Sequence, residues 1–130
     1  MPERHKDWLQ QARYDLDMAR AAARDSFFEW AAFAAQQAAE KACKGLHLFL
    51  RSAVWGHDVT QLLSQLPPPH RPAPEILDRA KRVDKHYLPA RYPNGFDAGT
   101  PREHYTRGEA EQAIADAEAI VDFCHRSISR

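Results

Sequence analysis

Apolar residues recur along this chain at spacings of three and four, and strict alternation of apolar and polar positions is not found. Spacing of the first kind gathers side chains on one face of an α-helix, whereas alternation would mark a half-buried strand. Trp8, Leu9, Ala12, Leu16, Ala19 and Ala23 predict a first helix of about twenty residues with a charged opposite face. Ser26 and Glu29 have the separation of a capping box, which predicts a second helix from near Phe27. Its expected buried stripe is Phe28, Ala31, Ala32, Ala35, Ala39, Ala42, Leu46, Phe49 and Ala53, where the alanines let a neighbouring helix come close. Two long antiparallel helices joined by a tight turn are the expected opening unit.

Gly56 is expected to end the second helix, with Asp58 the N-cap of a short third helix through Leu62, Leu63 and Leu66. The proline-rich run from Pro67 to Pro74 lacks amide donors and clashes with a helical path, so it reads as a connection. A fourth helix starting near Pro74 or Glu75 would bury Ile76, Ala80, Val83 and Tyr87 and end before Pro89. Residues 88–105 read as a Pro- and Gly-containing loop. Thr106 and Glu109 then make another capping box, and a last helix buries Ala110, Ala113, Ile114, Ala117, Val121, Cys124 and Ile128. The expected fold class is all-α: an up-and-down bundle of four main helices plus one short helix, forming one domain over residues 1–130.

Charge and cysteine content narrow the function classes. Eighteen Lys and Arg balance eighteen Asp and Glu, so no overall field argues for nucleic acid or an anionic membrane. The distribution is uneven: residues 61–108 hold eight basic against five acidic residues, and residues 109–130 hold two against five. Cys43 and Cys124 lie within helical patterns and read as small core residues. The charged N-terminus and the lack of an apolar run long enough to span a bilayer lead to the expectation of a cytoplasmic protein.

The candidate chemistry lies in the basic middle. From Arg79 to Arg107 the chain carries Arg79, Lys81, Arg82, Lys85, Arg91, Arg102 and Arg107, interleaved with Tyr87, Tyr92, Phe96 and Tyr105. Guanidinium groups match phosphate oxygens and aromatic rings stack on bases, which is what a nucleotide or single-stranded RNA site requires. Arg82, Lys85, Tyr87, Arg91, Tyr92, Arg102 and Tyr105 are the candidate binding residues; the alternative is a solvated helix face with tyrosines capping the bundle. On the second helix Glu40, Lys44, His47 and Arg51 share one stripe, expected to be solvated or to form a polar seam in a dimer. Histidine and cysteine occur only in two-ligand spacings, and the five glycines are scattered, so neither a metal site nor a cofactor is expected.

The helix carrying Gln37-Ala38-Ala39-Glu40-Lys41-Ala42, followed by Gly56-His57-Asp58, then Leu88-Pro89-Ala90-Arg91-Tyr92-Pro93 and a terminal Ala/Ile helix, resembles the HEPN domain family from about residue 5 to residue 128. The resemblance implies a small helical bundle that usually dimerises and is often encoded beside a minimal nucleotidyltransferase. It also implies nucleotide or RNA binding and, in one branch, metal-independent RNA cleavage by a toxin. That branch uses an Arg followed after four to six residues by a His, which would shuttle a proton while the Arg stabilises charge on the phosphate. Arg51 with His57 and Arg79 with His86 match this spacing. About two such matches arise by chance from this composition, so the pairs alone do not argue for catalysis. The expected function is therefore a noncatalytic nucleotide- or RNA-binding homodimer in a toxin-antitoxin-like pair with a nucleotidyltransferase; the alternative is an endoribonuclease using one of the Arg/His pairs.

Overall fold

The computed structural model describes residues 3–129. Among these residues there are six helices and no strand: α1 (Arg4–Arg24), α2 (Phe28–Phe49), α3 (Val59–Ser64), α4 (Pro74–Asp84), α5 (Pro101–His104) and α6 (Arg107–Ser129). The all-α bundle of four longer helices is as the periodicity requires. It has two short helices rather than one, because Thr100 and Glu103 form a capping box around α5 inside the expected loop. Single 3₁₀ turns at Pro68–His70 and Pro93–Gly95 punctuate the two proline-containing connections.

α1 and α2 pack along their length as a hairpin, and α6 lies against both. α4 packs on α6, and α3 bridges α4 and α2. The core combines small and large side chains: Ala12, Ala19, Ala35, Ala39, Ala42, Ala113 and Ala117 are fully or almost fully buried, and Leu16, Leu46, Leu62, Leu63, Leu66 and Ile120 fill the volume between helices. Gly45 extends this close packing: a Cβ there would meet Trp8 Cβ at 3.2 Å and the His5 carbonyl at 3.3 Å. Cys43 and Cys124 are buried free thiols, and their mutual contact together with burial keeps the Cys43 thiol well above its ordinary pKa.

Two helix ends differ from the expected pattern for one shared reason. Ser26 does not cap α2; its φ of 66° is left-handed, and it closes α1 instead. The Phe27 amide donates to the Ala22 carbonyl at 2.8 Å and the Ser26 amide to Ala23 at 3.1 Å, the paired closure of a Schellman motif. α2 ends the same way at Phe49, before Gly56: Arg51 has φ of 60°, Ser52 donates to His47 at 2.9 Å and Arg51 to Leu48 at 3.1 Å. Phe49 and Ala53, expected in the buried stripe, are consequently exposed. Glycine relieves the left-handed strain of a residue with a Cβ, about 1–2 kcal/mol, partly offset by its greater freedom when unfolded. Ser26→Gly is therefore expected to raise stability by about 0.5–1 kcal/mol in urea unfolding; a loss of stability would show that the serine side chain holds the turn.

The other expected caps are present. Asp58 accepts from the Gln61 amide at 3.0 Å, and the Thr106 and Glu109 side chains exchange bonds with each other's amides at 3.1 Å. No helix among the described residues is long and apolar enough to cross a membrane.

Candidate functional site

The N-cap and the first two turns of α2 carry Phe27, Trp30 and Phe33 at intervals of three, outside the alanine stripe. The segment that leaves α4 crosses this face. Arg91 is fixed there from several sides: its Nε donates to the Tyr87 carbonyl at 2.9 Å, and its guanidinium carbon lies 4.4 Å from the Phe33 ring centre, 4.7 Å from Tyr87 and 5.1 Å from Tyr92. Such contacts favour a planar cation over a ring face. At the N-terminal end of α2, Arg102 of α5 repeats the arrangement, with its Nε on Glu29 at 3.0 Å and its guanidinium 4.4 Å from the Phe27 ring. Arg107 lies 4.9 Å from Phe28. Trp30 and Tyr92 remain about half exposed between these groups.

At the other edge of this face lies a cleft of about 370 Å³ lined by His57, Asp58, Asp84, Tyr87, Leu88 and Pro89. The His57 ring stacks on Tyr87 at 4.5 Å. Its Nδ1 donates to Glu40 Oε2 at 3.0 Å, so a neutral His57 keeps Nε2 as an acceptor. Glu40 is almost wholly buried and also accepts from Lys44 Nζ at 2.9 Å and Gln36 Nε2 at 3.1 Å. Burial alone would raise the Glu40 pKa, but the bonds from Lys44, His57 and Gln36 together outweigh it and hold the carboxyl below the usual range. Gln36, fully buried, donates in addition to the His57 carbonyl at 3.1 Å, tying the loop to α2. Asp84 accepts from the Val59 amide at 2.7 Å and the Thr60 hydroxyl at 2.6 Å; its burial raises its pKa.

The stripe expected to be solvated is thus divided. Glu40 and His47 are buried, while Arg51 is exposed. The Leu62 carbonyl at 2.7 Å from His47 Nε2 can only accept, so Nε2 carries the proton and Nδ1 faces the Ser52 hydroxyl at 2.9 Å.

The remaining sequence candidates separate by partner. Arg79 and Arg82 both reach the fully buried Asp116 of α6: Arg82 binds it with Nε at 2.9 Å and Nη2 at 2.8 Å, and Arg79 Nη1 lies at 3.1 Å. His86 Nδ1 pairs with the Tyr105 hydroxyl at 2.8 Å. Burial lowers the His86 pKa and, with the charge of Glu109, pushes Tyr105 up to about 12. Lys85 is exposed. The structure therefore brings Arg91, Tyr87, Tyr92 and His57 together, sets Arg102 of α5 against the N-terminal end of α2, and commits Arg79, Arg82, His86 and Tyr105 to contacts within the bundle. Phe27, Trp30, Phe33 and Gln36 complete the face without having been singled out as site residues, and Glu40, expected on a solvated stripe, joins them buried; the threefold aromatic spacing on α2 was the available signal.

An imidazole whose folded pKa is depressed leaves the unfolded chain with the greater proton uptake. The stability involved is present above the ordinary histidine pKa near 6.5 and is lost as pH falls below it toward the folded value. Urea unfolding at pH 7.5 and 5.5 is expected to show lower stability at the acidic pH, and His86→Asn should shrink the difference. An unchanged difference would assign the acid sensitivity to other groups, His125 among them, whose pKa burial also lowers.

The comparisons with known proteins agree with this architecture. The model of the HEPN domain matches residues 5–127. A crystal structure of a protein from Thermus thermophilus superposes with a TM-score of 0.94 at 43% identity, covering 97% of this chain and 99% of that one. An archaeal HEPN homologue gives 0.83 at 38% identity, covering 98% and 99%. A HEPN domain protein from Thermotoga maritima gives 0.78 at 33% identity, covering 95% and 98%. No curated protein is significantly similar. By the family match and by these relatives, the chain belongs to the HEPN domain family.

Proposed function

We propose that this HEPN module binds a nucleotide or a short stretch of single-stranded RNA on the face around Arg91, and that it does so in the cytoplasm as a homodimer paired with a minimal nucleotidyltransferase in a toxin-antitoxin-like system. The arrangement of Arg91 carries the reading. Its Nε and the face of its guanidinium are engaged by Tyr87, Phe33 and Tyr92, so its orientation is set before a ligand arrives. No hydrogen bond from its terminal amino groups is found among the described residues, and these groups are the donors a phosphate needs. Exposed Tyr92 and Trp30 offer planes on which a base can stack. The cleft beside His57 adds an apolar wall, Leu88 and Pro89, and the carboxylate of Asp58 as an acceptor for ribose or base donors. For self-association, Tyr14, Met18, Leu48, Phe49 and Trp55 supply exposed apolar surface.

A second reading, metal-independent RNA cleavage, is supported by the Glu40–His57 pair, which orients an imidazole as a proton-transfer group would be oriented. Of the two spaced pairs, Arg79 and His86 would first have to leave Asp116 and Tyr105. One titration tests both readings: fluorescence anisotropy of a labelled single-stranded RNA, with aliquots kept in chelator and examined for strand breaks. Saturable binding of intact RNA supports the binding module. Breakage lost in His57→Ala supports the nuclease, and neither binding nor breakage removes both.

A further inference from the structure

The bundle has a second recess that shares no residue with the Arg91 face. It lies between the N-terminal half of α1 and the C-terminal turns of α6, and encloses about 380 Å³. Its lining comprises His5, Lys6, Leu9, Gln10 and Arg13 of α1 with His125 and Ile128 of α6. Five of these seven side chains bear nitrogen donors and none bears a carboxylate, an unusual bias in a chain of zero net charge. His125 Nε2 is buried without a hydrogen-bond partner among the described residues. A buried polar atom in that state carries an uncompensated desolvation cost, and it marks His125 as a side chain that the bundle does not itself satisfy.

The charges around the recess are available to such a ligand. Arg13 pairs with Asp122 at 3.1 Å, both about two-fifths exposed. Lys6 pairs with Glu3 at 2.6 Å, both about two-thirds exposed. Ion pairs this open to water contribute little and are readily exchanged. Burial, followed by the positive charge of Arg13, lowers the His125 pKa, with Asp122 opposing.

We propose that the recess between α1 and α6 is a second binding site, taking a phosphate-type oxyanion held by Lys6, Arg13 and His125. Gln10 and His5 supply further donors, and Leu9 and Ile128 contact any apolar part of the ligand. An oxyanion placed between Arg13 and His125 exchanges the exposed Arg13–Asp122 pair for charge-assisted hydrogen bonds from the guanidinium and a protonated imidazole. The same oxyanion chemistry could come from free phosphate, from a mononucleotide or from an RNA strand.

The test is histidine-ring NMR on the full chain, titrated with inorganic phosphate at fixed pH and ionic strength against a sodium chloride control. The His125 and His5 signals are expected to shift saturably, the His57 signal to stay, and the His125 titration midpoint to rise. Arg13→Ala should weaken the response about tenfold. The Lys6→Ala/Gln10→Ala double variant alters only exposed side chains, so it keeps the fold and should weaken the response as well. Parallel titrations with uridine 5′-monophosphate and with an RNA oligonucleotide identify the source by which ligand saturates the same signals at the lowest concentration. A His125 response equal to that of chloride, one unchanged in both variants, or one confined to His57 would overturn the proposal.

Discussion

Replacing Asp116 with alanine is expected to cost about 2–3 kcal/mol of stability, the largest loss among substitutions outside the apolar core. Its carboxylate is fully buried in α6 and receives Arg82 through two nitrogens, Arg79 through one and Gln112 Nε2 at 3.0 Å. Removing one partner of a fully buried ion pair costs roughly 3–5 kcal/mol because the remaining charge stays desolvated. Here the arginines are 26% and 46% exposed and can turn to water, which places the expected value below that range. For a chain of this size the midpoint of thermal unfolding should fall by roughly 10 °C. Asp116→Asn keeps the shape and some hydrogen bonding and should lose less. Calorimetry of the two variants checks the order; an alanine variant as stable as the parent would mean that the α4–α6 contact stands on apolar packing alone.

This network also shows how far the sequence could be read. Helix number, order and inner faces were legible because the periodicity of Leu9-Ala12-Leu16-Ala19 and of Ala110-Ala113-Ala117-Val121 depends on burial that each helix expresses locally. The N-caps at Asp58 and Thr106 were legible for the same reason: a cap is made by residues three apart. Ser26 and Arg51 were not, since a left-handed closure normally announces itself by glycine and here two other residues adopt it. Arg79 and Arg82 looked like a free basic face because their partner lies 37 and 34 positions away on α6. Glu40 looked solvated because nothing in its own helix shows that the loop carrying His57 folds over it. The candidate site was half visible: Arg91, Tyr92 and Tyr87 stand out by type, but Phe33, which completes their arrangement, belongs to another helix and only the tertiary fold brings it there.

Arg91→Ala is expected to weaken binding of single-stranded RNA at least tenfold, or about 1.4 kcal/mol, while leaving the bundle folded. The aromatic contacts it loses lie at the surface, where cation–π contacts are each worth about 0.5–1 kcal/mol. Arg91→Lys should rescue little. A lysine keeps the charge but has neither the planar group that fits among Phe33, Tyr87 and Tyr92 nor the fork of donors that a phosphate accepts. Tyr92→Ala should reduce affinity without changing the salt dependence of binding, since it removes a stacking surface and no charge.

The most direct measurement is therefore the anisotropy titration of one labelled single-stranded RNA against the parent chain, Arg91→Ala and Arg91→Lys at two salt concentrations. Saturable binding by the parent that weakens with salt, and is lost in parallel by both variants, is the predicted result. Equal affinity in all three proteins, or no binding by the parent, would contradict the assignment of this face to nucleic acid.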